Sequence, residues 1–170
     1  MTVPQDDVDG IQQAWVRERP GTPVDSIGVI TRIWRIGKLL EDDRRRTMAR
    51  LGIDAPTRDL LSTLRRAGPP YRLTPGQLAR ATLVSPGAIS QRLTRVEAQG
   101  LVRRHRSGPD GRSVTVELTA AGHALVERTV DDLLRHEETL LTGLSPDQRA
   151  QLTDLLRVLL ADLTARAGGP

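Results

Sequence analysis

Apolar residues recur at helical spacing along most of this chain and give way to two strand-like segments around a turn between residues 101 and 118. Val8, Ile11, Ala14 and Trp15 predict a short amphipathic helix from Val8 to Arg19, stopped by Pro20, Gly21 and Pro23. A longer helix is predicted from about Ser26 to Leu51, with Ile30, Ile33, Trp34, Gly37 and Leu40 on one face and the turns EDDRRRTMAR as a solvated charged face. Gly52 and Pro56 close it and open another helix, from about Pro56 to Ala67. GPPYRL then reads as a linker. Thr74-Pro75-Gly76-Gln77 is a capping box with proline at the first helical position, so a short helix, QLARAT, follows. Ser85-Pro86 caps the next, GAISQRLTRVEAQG, which Gly100 ends. LVRRHR and SVTVEL alternate as strands around the turn SGPDGR. After Thr119 the helical period returns and runs to Leu144. Ser145-Pro146-Asp147-Gln148 caps a last helix to about Arg166, with Leu152, Leu155, Leu156, Leu159, Leu160 and Leu163 on its apolar face.

Two short helices, a strand, a turn and a second strand are the plan of a winged helix-turn-helix. The predicted fold class is therefore mainly α with a small β-wing. Residues 1–54 are expected to form an N-terminal extension and dimerisation helix, 55–118 the winged helix-turn-helix lobe, and 119–170 C-terminal dimerisation helices. The terminal helices carry more apolar surface than so small a centre can cover, and a second copy of the chain would cover it. Packing within one chain is the alternative.

Charge sharpens this reading. Residues 72–112 hold eight arginines (72, 80, 92, 95, 103, 104, 106, 112) against Glu97 and Asp110, a net +6, whereas the whole chain carries +4. Positive charge gathered on one small module is the footprint of a protein that neutralises phosphates. Twenty-four of the 25 basic residues are arginine, a bias that reflects genome composition as readily as phosphate binding, so the clustering is the firmer signal. In a helix-turn-helix the second helix enters the major groove and reads bases with its first turns. That places Ser85, Ala88, Ser90 and Gln91 at the duplex, with Arg95 a turn further on. Arg106 and Arg112 in the wing are placed to meet the minor groove or phosphates. A solvated arginine surface is the bland alternative.

Other classes of function find little support. The absence of cysteine excludes disulfides, thiol redox sensing and thiolate metal sites. His105, His123 and His136 lack the i, i+4 pairing of a helical metal site and read as surface or packing residues, so no metal or cofactor is expected. There is no nucleophile with a partnered base and no phosphate-cradling glycine loop, so an enzyme is not expected. The N-terminus MTVPQDDVDG is acidic and has no apolar core of a signal peptide, and no run reaches the length of a membrane span; a soluble cytoplasmic protein is expected.

The stretch SPGAISQRLTRVEAQGLVRRHRSGPDGRSVTVELTAAG resembles the recognition helix, wing and following helix of the MarR family of bacterial transcription regulators. The carriers of the likeness are Asp110-Gly111-Arg112-Ser113, the hydrophobic strand after it, and LTAAG. The resemblance implies a homodimer with interleaved terminal helices, each subunit placing a winged helix-turn-helix on half of a palindromic operator. It also implies a small ligand, bound between the dimer interface and the DNA lobe, that changes the spacing of the two lobes. Trp15, Asp59, Arg92 and Arg104 are further similar to the Trp, Asp, Arg, Arg signature of the urate-responsive branch. By that resemblance Trp15 and Arg92 would hold a planar anion, and Asp59 would pair with Arg104 as a latch; an aromatic face plus a guanidinium suits such a ligand. The reading is thus a DNA-binding regulator, a repressor released by an anionic or aromatic effector such as urate. The alternative is a ligand-independent DNA-binding and dimerisation module.

Overall fold

The computed structural model describes residues 4–107 and 113–168, and its elements follow the predicted order. Helix α1 spans Asp7–Glu18, α2 Asp25–Arg50, α3 Ala55–Arg66, α4 Pro75–Ala81 and α5 Pro86–Ala98. Strands β1 (Arg72–Leu73), β2 (Val102–Ser107) and β3 (Ser113–Leu118) form one antiparallel sheet in the order β1-β3-β2. Helices α6 (Ala120–Thr139) and α7 (Pro146–Ala167) complete the chain.

Local chemistry accounts for the boundaries. Asp6, Asp54, Thr74, Ser85, Thr119 and Ser145 each accept a backbone N–H of the helix that follows, satisfying donors the helix itself cannot. Asp6, Thr74 and Ser145 form full capping boxes with Asp9, Gln77 and Gln148. Gly100, at φ +71°, takes the left-handed turn that ends α5 and delivers the chain to β2.

Two expectations are corrected. The segment GPPYRL is not only a linker, because Arg72 and Leu73 pair with Glu117 and Val116 of β3. β3, the last strand in sequence, is thereby the middle one. The helix after Thr119 ends at Thr139, not Leu144. Leu140 to Gly143 turn instead, and the capping box at Ser145 restarts the helix in a new direction.

The core lies between α3, α5, the sheet and α6. Leu60, Leu61, Leu64, Leu78, Ile89, Leu93, Val96, Val102 and Val116 are all buried, with Val126 and Leu133 of α6 closing it. The approach of α6 to the root of the wing depends on Gly122, where a Cβ would sit 2.1 Å from the Leu101 carbonyl oxygen. α7 buries no residue within the chain. No helix among the described residues is long and apolar enough to cross a membrane.

Candidate nucleic-acid interface

Helices α4 and α5 are joined by residues 82–85, where Leu83 takes a positive φ of 54° and turns the chain sharply. This seats α5 across the lobe with Ile89, Leu93 and Val96 inward and the other residues outward. Ser85 is exposed at the helix start, its hydroxyl accepting the Ala88 N–H at 3.3 Å. Ala88 is half-buried; Ser90 and Gln91 are exposed in the next turn. Arg106 is exposed on β2, while Arg112 lies outside the described residues. Ser90 borders a groove of about 260 Å³ between α4, α5 and the wing root, with Pro75, Ile89, Leu93, Arg104 and Val114 among its walls.

Arg95 is placed differently from its neighbours. Its Nη2 donates to Asp54 Oδ1 at 2.6 Å and to Thr57 Oγ1 at 3.0 Å. Asp54 is also the cap of α3, accepting from the Thr57 N–H at 2.9 Å and the Thr57 hydroxyl at 2.8 Å. Burial pushes the Asp54 carboxyl up, but Thr57 and the Arg95 guanidinium together outweigh it and hold the group below its ordinary value. Sequence reasoning missed Asp54; its only signal was an aspartate two residues before a proline, the mark of a helix start.

Among the described residues, no hydrogen bond or ion pair links the four residues of the expected ligand signature. Asp59, half-buried on α3, accepts from Arg44 Nη2 at 2.5 and 2.6 Å, with Arg58 at 3.7 Å. Arg104 is occupied elsewhere: its backbone N–H donates to Glu97 at 3.0 Å and its Nη2 to Thr94 at 3.0 Å. Its Nε lies 3.2 Å from Glu97, an ion pair whose angle is too poor for a hydrogen bond. The expected Asp59–Arg104 pair is therefore replaced by Asp59–Arg44 and Glu97–Arg104. Both replacements draw on nearer partners: α2 folds directly over α3, and Glu97 faces the strand that follows it.

Arg92 is half-buried in a hollow it shares with Pro56, Gln91 and Arg95, and it makes no hydrogen bond or ion pair among the described residues. Trp15 is 46% exposed on α1. α1 runs back along α2, since Asp6 and Asp9 hold Arg32 and Gln12 reaches Gly28. Trp15 thus sits beside the start of α2, about 25 Å along that helix from Arg44 and Asp59.

The histidines each have a local partner. His136 lies 2.7 Å from Asp43 across an apolar cleft of about 280 Å³ between α2 and α6, and it holds the Asp43 carboxyl below its ordinary value. His105 and Arg72 flank Glu117, with Arg72 the stronger influence lowering that carboxyl. His123 packs edge-on against Tyr71 at 4.6 Å.

The sequence matches the MarR family over residues 51–113, the span from the end of α2 through the wing turn. It is 33% identical to the HTH-type transcriptional regulator PecS of Dickeya dadantii over 150 residues, covering 88% of this chain and 90% of PecS. The fold is similar to that of a MarR variant from E. coli complexed with operator DNA, at 29% identity and a TM-score of 0.61, covering 78% of this chain and 98% of that one. It is also similar to Bordetella bronchiseptica BpsR, whose DNA binding is regulated by 6-hydroxynicotinic acid, at 26% identity and a TM-score of 0.59, covering 74% of this chain and 98% of BpsR. With a winged helix-turn-helix, an exposed helix start and these relatives, the chain belongs to the MarR family of DNA-binding transcription regulators.

Proposed function

We propose that the protein is a homodimeric repressor that binds a palindromic operator and is released by a small anionic or aromatic ligand such as urate. Dimerisation is supported above all by α7, where Leu155, Val158 and Leu160 are each about two-thirds or more exposed and nothing among the described residues covers them. Residues 1–54 and 119–170 serve pairing, and residues 55–118 meet the duplex. Ser85, Ala88, Ser90 and Gln91 enter the major groove; Arg106 and Arg112 reach the duplex from the wing.

Trp15, Asp59, Arg92 and Arg104 form the proposed ligand set. Arg92, half-buried and with no hydrogen bond or ion pair among the described residues, is the group best prepared for an anion. Because Trp15 lies far from Asp59 within one chain, the proposed set draws its Trp15 from the second subunit. BpsR, whose DNA binding answers to a flat aromatic acid, supports effector release by the same kind of molecule.

The test measures affinity for an operator selected by the purified protein, with urate, other purines, phenolic acids and organic acids added in turn. An active effector lowers operator affinity and raises the melting temperature through linkage. Trp15→Ala blunts that response and leaves DNA affinity intact. A flat response across the panel would favour the ligand-independent module instead.

A further inference from the structure

We infer that Asp54 and Thr57 hold Arg95 as an internal strut that sets the pose of α5, so that Arg95 serves operator recognition as a positioning residue and not by touching the duplex. The inference rests on reading α5 as the helix that meets DNA. Its geometry is a closed network, in which one carboxylate caps α3, accepts the Thr57 hydroxyl and receives the Arg95 guanidinium. Thr57 returns a second acceptor to the same Nη2. Hydrogen bonds between ionised partners are the short, directional kind.

Direction is what the rest of the α3–α5 contact lacks. Leu60, Leu61 and Leu64 meet Ile89, Leu93 and Val96 through apolar surface, which favours contact without fixing the sliding of one helix on the other. The strut supplies that fix near the C-terminal half of α5, about 15 Å along the helix from Ser85. It also joins three elements at one point, because Asp54 follows directly on the Gly52 turn that ends α2. Both side chains are about half exposed, so the pair adds little to overall stability and its effect lies in orientation. Arg95 Nη2 is already engaged by Asp54 and Thr57, which fixes where the rest of its guanidinium can reach. Arg92, one turn earlier, is under no such constraint.

The experiment titrates the full chain with a selected operator and with a scrambled duplex of equal length, across a salt series. The proteins compared are wild type, Asp54→Asn, Arg95→Ala and the double variant. Asparagine keeps the cap of α3, so the helix start survives the loss of charge; melting curves verify this. Each single variant is expected to weaken operator binding about tenfold. The scrambled duplex should bind as before and the salt slope should not change, while the double variant is no weaker than the worse single. Two results would overturn the strut: Arg95→Ala weakening both duplexes alike with a salt slope smaller by about one phosphate, or Asp54→Asn tightening DNA binding by releasing Arg95. A wild-type protein that binds neither duplex removes the DNA reading of α5, and the strut with it.

Discussion

Leucine meets two fates in this molecule. In the lobe from α3 to β3, Leu60, Leu61, Leu64 and Leu78 are completely buried by their own chain. On α7, Leu155 is 70% exposed and Leu160 67%, and the helix buries nothing. α2 joins the second group, with Trp34 73% exposed and Leu39 68%. In the lobe three helices and a sheet converge on one centre, which Met48 of α2 and Val126 and Leu133 of α6 close. α7 and the first half of α2 present one-sided apolar surfaces; α7 is started by the Ser145 capping box, whereas α2 has no side-chain cap. The contrast teaches that one chain packs its lobe but leaves the apolar faces of α7 and the first half of α2 uncovered among the described residues.

The sharpest way to break this contrast is from the lobe side. Leu64→Ala should cost about 2–5 kcal/mol, read as a fall in the chemical-denaturation midpoint, since the cavity has no solvent path to collapse into. If it cost no more than a surface substitution, the lobe would not be the packed region. Gly122→Ala should cost roughly 1–3 kcal/mol by forcing α6 off the Leu101 carbonyl; an unchanged melting curve would show that the two elements yield easily. Leu155→Asp addresses the other region. It should leave the lobe's secondary structure intact, as read by circular dichroism, and weaken self-association at least tenfold in sedimentation equilibrium. Equal sedimentation of variant and wild type would mean that α7 is not a pairing surface.

The smallest effect is expected at α1, where Val8 is buried and Asp6 and Asp9 hold Arg32 of α2. The Arg32 hydrogen bonds are the main influence holding both carboxyls below their ordinary value of 3.8. Depressed acids stabilise the folded arrangement above that ordinary value and lose the contribution as pH falls through the lowered one. Hydrogen-exchange protection factors across residues 7–18, taken relative to intrinsic rates at each pH, should therefore fall below about pH 4 in advance of those of the lobe. Simultaneous exchange of both regions would show that α1 is not separately held.

Much of this architecture could be read in advance where the signal is local. Thr74, Ser85 and Ser145 announce their helices because capping involves residues three apart. The alternation of Val114, Val116 and Leu118 with Ser113, Thr115 and Glu117 marks the wing because a strand's period is two. What escaped was set by distant partners. β1 is only two residues long, too short to show any period, and becomes a strand only because β3 lies beside it 45 residues later. Asp59 could pair with any of many arginines, and the choice of Arg44 depends on how α2 crosses α3. The same holds for Arg95, whose charge and helix position suit a phosphate equally well until Asp54 is placed next to it.

The strand order has a consequence for how the chain is made. β1 and β2 are both synthesised before β3, yet neither touches the other, and each has only β3 as a neighbour. On a ribosome the helices α3 to α5 can form and begin to collapse while both outer strands wait with unpaired backbones. The sheet closes only when residue 118 has cleared the exit tunnel, and it then joins both waiting strands to one late arrival. The wing is therefore the last part of the lobe to be finished, and a chain truncated before β3 would display helices but no sheet.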